Sequence, residues 1–256
     1  MCFFNSQNKR AFEIAKRYGR KSDIVEIARE ILEEQEREAM APEGGTIGTL
    51  GTMGTGVQKA FLNPDCLIVT RDEQLQMAKW GLIPFWVRDL EKVKSIRNMT
   101  ANARCETVFT QPSFREAIRK RRCLVPSTSF YEYHHLSPGP SPKERGERKE
   151  AVPYRIFLRD MEVFSLAGMY EEWIHTETKE TVRTFSVVTV PANELCAFIH
   201  NGGRNQGRMP AVLQVADEER WLRPGLSEND IRGLLVPYDT HLMDAGEMEK
   251  DYLRRA

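Results

Sequence analysis

An α+β fold is what this sequence predicts: one domain on a curved, mostly antiparallel β-sheet or barrel, with helices at its periphery. Short apolar runs of strand length recur from Cys66 to Val215. Capped, helix-periodic segments are few. Strand and helix patterns do not alternate as a parallel βαβ sheet would require. The 256 residues are enough for one large core, and 41% hydrophobic with 29% charged residues is ordinary for a globular chain. We expect a single domain over 1–256, with 42–56 and 136–151 as exposed loops.

The elements follow in order. Lys9–Tyr18 is a short helix with Gly19 at its C-terminal cap. Ser22 caps a second, where Ile24, Ile27, Ala28, Ile31 and Leu32 share one face. The other face carries Glu30, Glu33, Glu34, Glu36 and Arg37 and reads as solvated. Residues 42–56 are glycine- and threonine-rich, without a GxxxxGK[ST] phosphate loop, and read as an insertion or flap. Cys66–Val69 and Met77–Pro84 are strands, and 87–101 is charged and irregular. Ser113 and Glu116 have capping-box spacing for a helix to Lys120. Cys123–Val125 is a buried strand ended by Pro126, and Ser129–Tyr133 alternates like another. Strands resume at Tyr154–Leu158, Val163–Tyr170 and Thr184–Val190. Glu194–His200 is a short helix, 201–208 a loop and Ala211–Val215 a strand. Ser227 and Asp230 cap a late helix.

Composition narrows the function. Lysine plus arginine equal aspartate plus glutamate at 37 each, so a nucleic-acid partner needs a local basic patch. The five cysteines (2, 66, 105, 123 and 196) are odd in number and lack a CxxC pair, which argues for a reducing compartment and against a disulfide framework or zinc ribbon. No apolar signal region or membrane-length run is seen. We expect a cytoplasmic protein without metal, cofactor or membrane contact.

The chemistry centres on Met1-Cys2. Removal of Met1, which a small second residue favours, gives Cys2 a free α-amine and a thiol on neighbouring carbons. They titrate near about 8 and 8.5, so both are partly nucleophilic at neutral pH. The amine can condense with an aldehyde to a Schiff base, and the thiol can close a thiazolidine on it. A small apolar residue at a strand start is the plainer reading of Cys2.

Four more segments stand out: Trp80-Gly-Leu-Ile-Pro84-x-Trp86, Asn102-Ala-Arg104-Cys-Glu106-Thr107, Cys123-Leu-Val-Pro126 into Ser129-Phe-Tyr-Glu132-Tyr133, and Thr189-x-x-Ala192-Asn193 through Ile199-His200 to Arg208-Met-Pro210. With Cys2 they resemble, in order, the SOS response-associated peptidase (SRAP) family, from Trp80 to Leu213. Each is weak alone; together they are specific. The resemblance implies covalent thiazolidine capture of abasic sites in single-stranded DNA, shielding the lesion from cleavage.

It also implies roles. Glu132 is the acid–base group, provided that burial raises its pKa; an exposed strand glutamate is the alternative. His200 protonates the sugar oxygen, although a lone histidine ending an apolar helix face is more often structural. Asn102 orients the Cys2 amine, or is a turn residue. Arg104 and Arg208 hold phosphates, with surface ion pairing as the rival. Thr189 joins the DNA-binding set. Trp80, Pro84, Phe85 and Trp86 stack or wedge against bases, although some should be core. The run Arg119–Arg122 adds local positive charge or is a solvated helix end.

The chain departs from the family pattern in three places. Cys2 is followed by Phe3-Phe4, where relatives read Cys-Gly-Arg, so a phosphate-binding arginine is missing and an aromatic ring is available to stack. Residues 201–207, with Arg204, are inserted before Arg208-Met-Pro210, and 44–56 replaces a short proline-containing loop. Two rival functions are a cysteine peptidase confined to Met1 removal, using Cys2, His200 and Glu132, and a non-catalytic reader of modified or single-stranded DNA. The replication machinery and a nucleoid-associated, bacterial-type setting complete the expected partners.

Overall fold

Strand β1 (Phe4–Ser6) is short, yet it is pinned from every side. In this computed structural model, which describes residues 4–7, 11–21, 57–136, 151–203, 205–250 and 252–255, it lies antiparallel between β2 (Val57–Lys59) and β7 (Ser129–His135). Phe4 faces Tyr131 in that register. β7 pairs with β8 (Ala151–Leu158), and β8 with β13 (Met243–Glu247), giving the order β13-β8-β7-β1-β2. Directly after β1, the buried Gln7 amide ties this sheet to the second. Its Nε2 donates to Leu67 O and Pro126 O, both at 2.9 Å, and its Oε1 accepts from Leu67 N at 3.1 Å.

The second sheet is organised on β9 (Phe164–Ile174) and β10 (Thr181–Pro191), an antiparallel pair rich in β-branched residues. From Thr184 to Val190 every β10 residue is buried, so both faces are covered and the sequence reads as a continuous apolar run. β6 (Arg122–Ser127) and β12 (Val212–Leu213) flank β9. β4 (Gln76–Trp80) runs parallel to β10 and carries β3 (Asp65–Ile68). Near its end β10 holds β5 (Asn102–Arg104) parallel on one edge and β11 (Arg208–Pro210) antiparallel on the other. A single bridge, Val69 to Leu124, brings the far edge back towards β6. The sheet therefore curls, as expected, without closing into a barrel. One hydrophobic core takes Phe130, Ile156 and Leu158 from the first sheet and Val187, Val188 and Leu166 from the second.

Several elements differ from expectation. Residues 87–101 are not irregular: Asp89 caps a helix over Leu90–Met99, accepting from Glu91 N at 3.1 Å. Its apolar positions Leu90, Val93 and Ile96 share one face and pack, only partly buried, against Ile83, Val87 and Trp173, so the stripe is short and easily lost among the charges. Ser113 does not cap its helix, which starts at Arg115 out of a run of turns with Phe114 at the cap. Pro126 does not end β6; its fixed φ suits extended backbone and its carbonyl accepts from Gln7. The strand expected over Ala211–Val215 shrinks to β12, and Val215–Leu222 is a helix. The Ser227–Asp230 capping box forms as expected. The second predicted helix (after Ser22), the 42–56 loop and 137–150 lie outside the described residues.

Candidate active site

Two sheets and one short helix converge on Glu132 and His200. Glu132 comes from β7, opposite Tyr154 of β8 and next to Tyr131, the partner of Phe4. His200 ends the helix Glu194–Ile199, whose first turn is capped by Asn193 Oδ1 accepting from Cys196 N at 2.9 Å. That helix packs on β7 and delivers His200 Nε2 to 3.9 Å from Glu132 Oε2. Both side chains are buried. At 3.9 Å the two do not hydrogen-bond directly, and a substrate oxygen between them could meet both.

Their protonation follows from burial. Desolvation pushes the Glu132 carboxyl up to about 8, so it holds its proton at neutral pH. Desolvation pulls the His200 imidazole down to about 4, so it is neutral there. His200 Nδ1 lies 3.1 Å from Arg208 O. A carbonyl only accepts, so Nδ1 carries the hydrogen and Nε2 turns its lone pair towards Glu132. At pH 7 the pair is a carboxylic acid facing an imidazole base.

Asn102 is buried at the start of β5, in register with Val187. Two residues on, Arg104 is exposed, and its Nη2 donates to Asn205 Oδ1 at 2.8 Å. Asn205 belongs to the 201–207 loop, which is anchored at its start. Asn201 Oδ1 accepts from His135 N at 2.8 Å and Asn201 Nδ2 donates to His135 O at 2.9 Å, extending the pairing of β7. Gly202 lies so close to His135 that a Cβ would sit 2.3 Å from its ring. Arg204 lies outside the described residues.

Arg208 is held from within. Both Nη atoms donate to the Glu106 carboxylate, and Nη2 also reaches Thr189 O at 2.7 Å. The ion-pairing alternative therefore holds for Arg208 in this structure. Thr189 is wholly buried, bonded to Ala103 O and Arg208, so it positions the arginine and offers no surface to DNA. Trp80 is core as well: its indole donates to Ala101 O at 2.8 Å and stacks on Phe185. Pro84 is buried too. Phe85 and Trp86 stay about half exposed, at 49% and 47%, and are the members of that cluster that a base can reach. The 119–122 run is internally compensated. Arg119 pairs with Glu228, Lys120 with Glu116 and Arg121 with Glu171, while buried Arg122 donates to helix carbonyls at Ile118, Arg119, Trp221 and Arg223.

Cys2 lies outside the described residues. The other cysteines do not compete with it as nucleophiles. Burial pushes the Cys66, Cys123 and Cys196 thiols far up, and half-buried Cys105 is raised as well, first by desolvation. Sequence reasoning quoted Glu106 inside a motif without giving it a role, and passed over Asn205. Nothing in a lone sequence pairs Glu106 with a residue about a hundred positions away.

Comparison with known proteins gives the family and the fold. The family model described as SOS response associated peptidase (SRAP) matches residues 1–252. Abasic site processing protein YoqW of Bacillus subtilis is 35% identical over 68% of this chain and 69% of its own length. Abasic site processing protein HMCES of Gallus gallus is 30% identical over 56% of this chain and 44% of its own. A crystal structure of a Bacteroides thetaiotaomicron protein superposes with a TM-score of 0.80 at 40% identity, covering 100% of this chain and 95% of that one. A Bordetella bronchiseptica protein shares the fold with a TM-score of 0.71 at 19% identity, covering 97% of this chain and 100% of that one.

Proposed function

The chain belongs to the SOS response-associated peptidase family, and we propose that it captures abasic sites in single-stranded DNA through a thiazolidine at Cys2. The observation that carries this is the buried acid–base pair, Glu132 with His200, beside the strand that follows Cys2. Successive Cα atoms are about 3.8 Å apart, so covalent geometry keeps Cys2 within about 8 Å of Phe4. Phe4 lies opposite the neighbour of Glu132. The relatives' names, abasic site processing proteins, support the substrate.

The reaction needs no redox partner. After Met1 removal the Cys2 amine adds to the C1′ aldehyde of the opened sugar. The carbinolamine loses water to give an imine, and the thiol adds to the imine carbon and closes the ring. The net change is loss of one water. Proton traffic follows the protonation states. Protonated Glu132 delivers a proton to the ring oxygen, while His200 Nε2 accepts the hemiacetal hydroxyl proton. This reverses the role first expected for His200, because a neutral imidazole with its pKa near 4 is a poor acid at pH 7. The Glu132 carboxylate then takes a proton from the attacking amine and returns it to the departing hydroxyl. Asn102 orients the amine, Arg104 and Arg208 engage flanking phosphates, and Trp86 stacks on a base.

Intact-mass spectrometry tests the proposal. Incubation with an abasic oligonucleotide should give a species equal to the chain without Met1, plus the oligonucleotide, minus one water. A Met1-retaining chain carrying the full adduct mass would contradict it, since a blocked amine cannot form the ring.

A further inference from the structure

Arg208 links the phosphate-facing rim to the proton-transfer pair through its own main chain. Its side chain is only 12% exposed, and Glu106, at 48%, covers it on the solvent side. Both guanidinium ends are occupied by the Glu106 carboxylate, and the inner one is also fixed to Thr189 O and Oγ1. The Arg208 carbonyl accepts the Nδ1–H of His200 and so sets the tautomer that turns Nε2 to Glu132. Arg208 pulls the Glu106 carboxyl below its usual range, so it is ionised at neutral pH and compensates the arginine. Glu106 also stands two residues from exposed Arg104, where an incoming phosphate would meet its charge.

We propose that Glu106 is a positioning residue that trades DNA affinity for alignment. It weakens the hold of Arg208 on the DNA phosphate, and by anchoring Arg208 it keeps His200 in its working tautomer and place. A phosphodiester offers two oxygens to a guanidinium as a carboxylate does, so it competes with Glu106 for the same donors. Removing the carboxylate therefore has opposite effects on binding and on chemistry, whereas loss of a merely structural contact would weaken both. The binding half stands on geometry alone; the catalytic half rests on the capture reading above.

The test separates the two. Full-length Glu106→Gln is titrated with an undamaged single-stranded oligonucleotide across a salt series, then mixed in excess with an abasic oligonucleotide for single-turnover capture. We expect binding tighter by about threefold to tenfold at low salt, and a log–log salt slope steeper by roughly 0.7, as one more phosphate is engaged. We expect the capture rate at saturating protein to fall about tenfold or more as His200 loses its anchor. Glu106→Asp, which keeps the charge, should retain wild-type affinity and slope. Binding to undamaged DNA that is unchanged or weaker in Glu106→Gln overturns the proposal, as does an undiminished capture rate. Should wild-type protein form no adduct while Glu106→Gln still binds undamaged DNA more tightly, the capture reading fails and the competition at Arg208 is upheld.

Discussion

Glu132 and His200 on one side, and Arg104 and Arg208 on the other, share one site but live in opposite electrostatic settings. The first pair is buried, and burial is the largest cause that discharges both groups at pH 7: the carboxyl is kept protonated and the imidazole neutral. The second pair stays charged, and each arginine is already occupied. Arg104 is exposed and held by a neutral amide, whereas Arg208 is mostly covered and held by a carboxylate. A neutral amide yields to a phosphate more readily than a charged carboxylate does. The proposed proton transfer and DNA affinity thereby fall on different residues of a chain with zero net charge.

The largest effects should come from the buried pair. Glu132→Gln and His200→Ala should each slow single-turnover capture by about 10²–10⁴-fold. Both act while the sugar opens, but only Glu132 acts afterwards. A substrate lacking the 4-hydroxyl, held as the free aldehyde, should therefore rescue His200→Ala more than Glu132→Gln in gel kinetics. Equal rescue would erase that distinction.

The same pair predicts a pH dependence of stability. Glu132 is raised in the fold, so the folded chain keeps a proton that the unfolded chain releases above about pH 4.5. Its stability contribution is full below that pH, falls as pH rises to about 8, and is level beyond. His200 is depressed, so its contribution is lost as pH falls from about 6.5 to about 4. Relative to wild type, Glu132→Gln should gain on the order of a few kcal/mol between pH 5 and pH 9 in denaturant titrations. A pH-independent difference would place the Glu132 pKa near its ordinary value.

Smaller effects belong to the rim. Trp86→Ala should cost roughly 1–3 kcal/mol of single-strand affinity if a base stacks there. Arg104→Ala should flatten the salt slope by roughly 0.7, and Arg208→Ala by less because Glu106 already compensates it. Equal losses would mean that Glu106 gives way as easily as Asn205.

Legibility in the sequence followed the physics of each element. Long strands such as β9 and β10 were readable because burial on both faces writes an apolar run. The short strands β2, β5 and β11 were not, because three residues cannot display a period. The helix Leu90–Met99 hid for a different reason, since its stripe is only three partly buried residues, Leu90, Val93 and Ile96, set among charged ones. Glu132 and His200 stood out through their motifs, and their proximity is a product of the fold. The protonation states behind their proposed roles could not be read from sequence, because burial is their largest cause. Trp80, Pro84 and Thr189 share motifs with the candidate site residues, yet all three are buried, which their motifs do not reveal.

Covalent capture at Cys2 is tested most directly by denaturing gel electrophoresis of wild type and Cys2→Ala with an abasic single strand. Wild type should give a slow-migrating adduct that survives denaturation, and Cys2→Ala should give none while still binding undamaged DNA. A stable adduct formed by Cys2→Ala at wild-type yield would remove Cys2 from the mechanism and contradict the account.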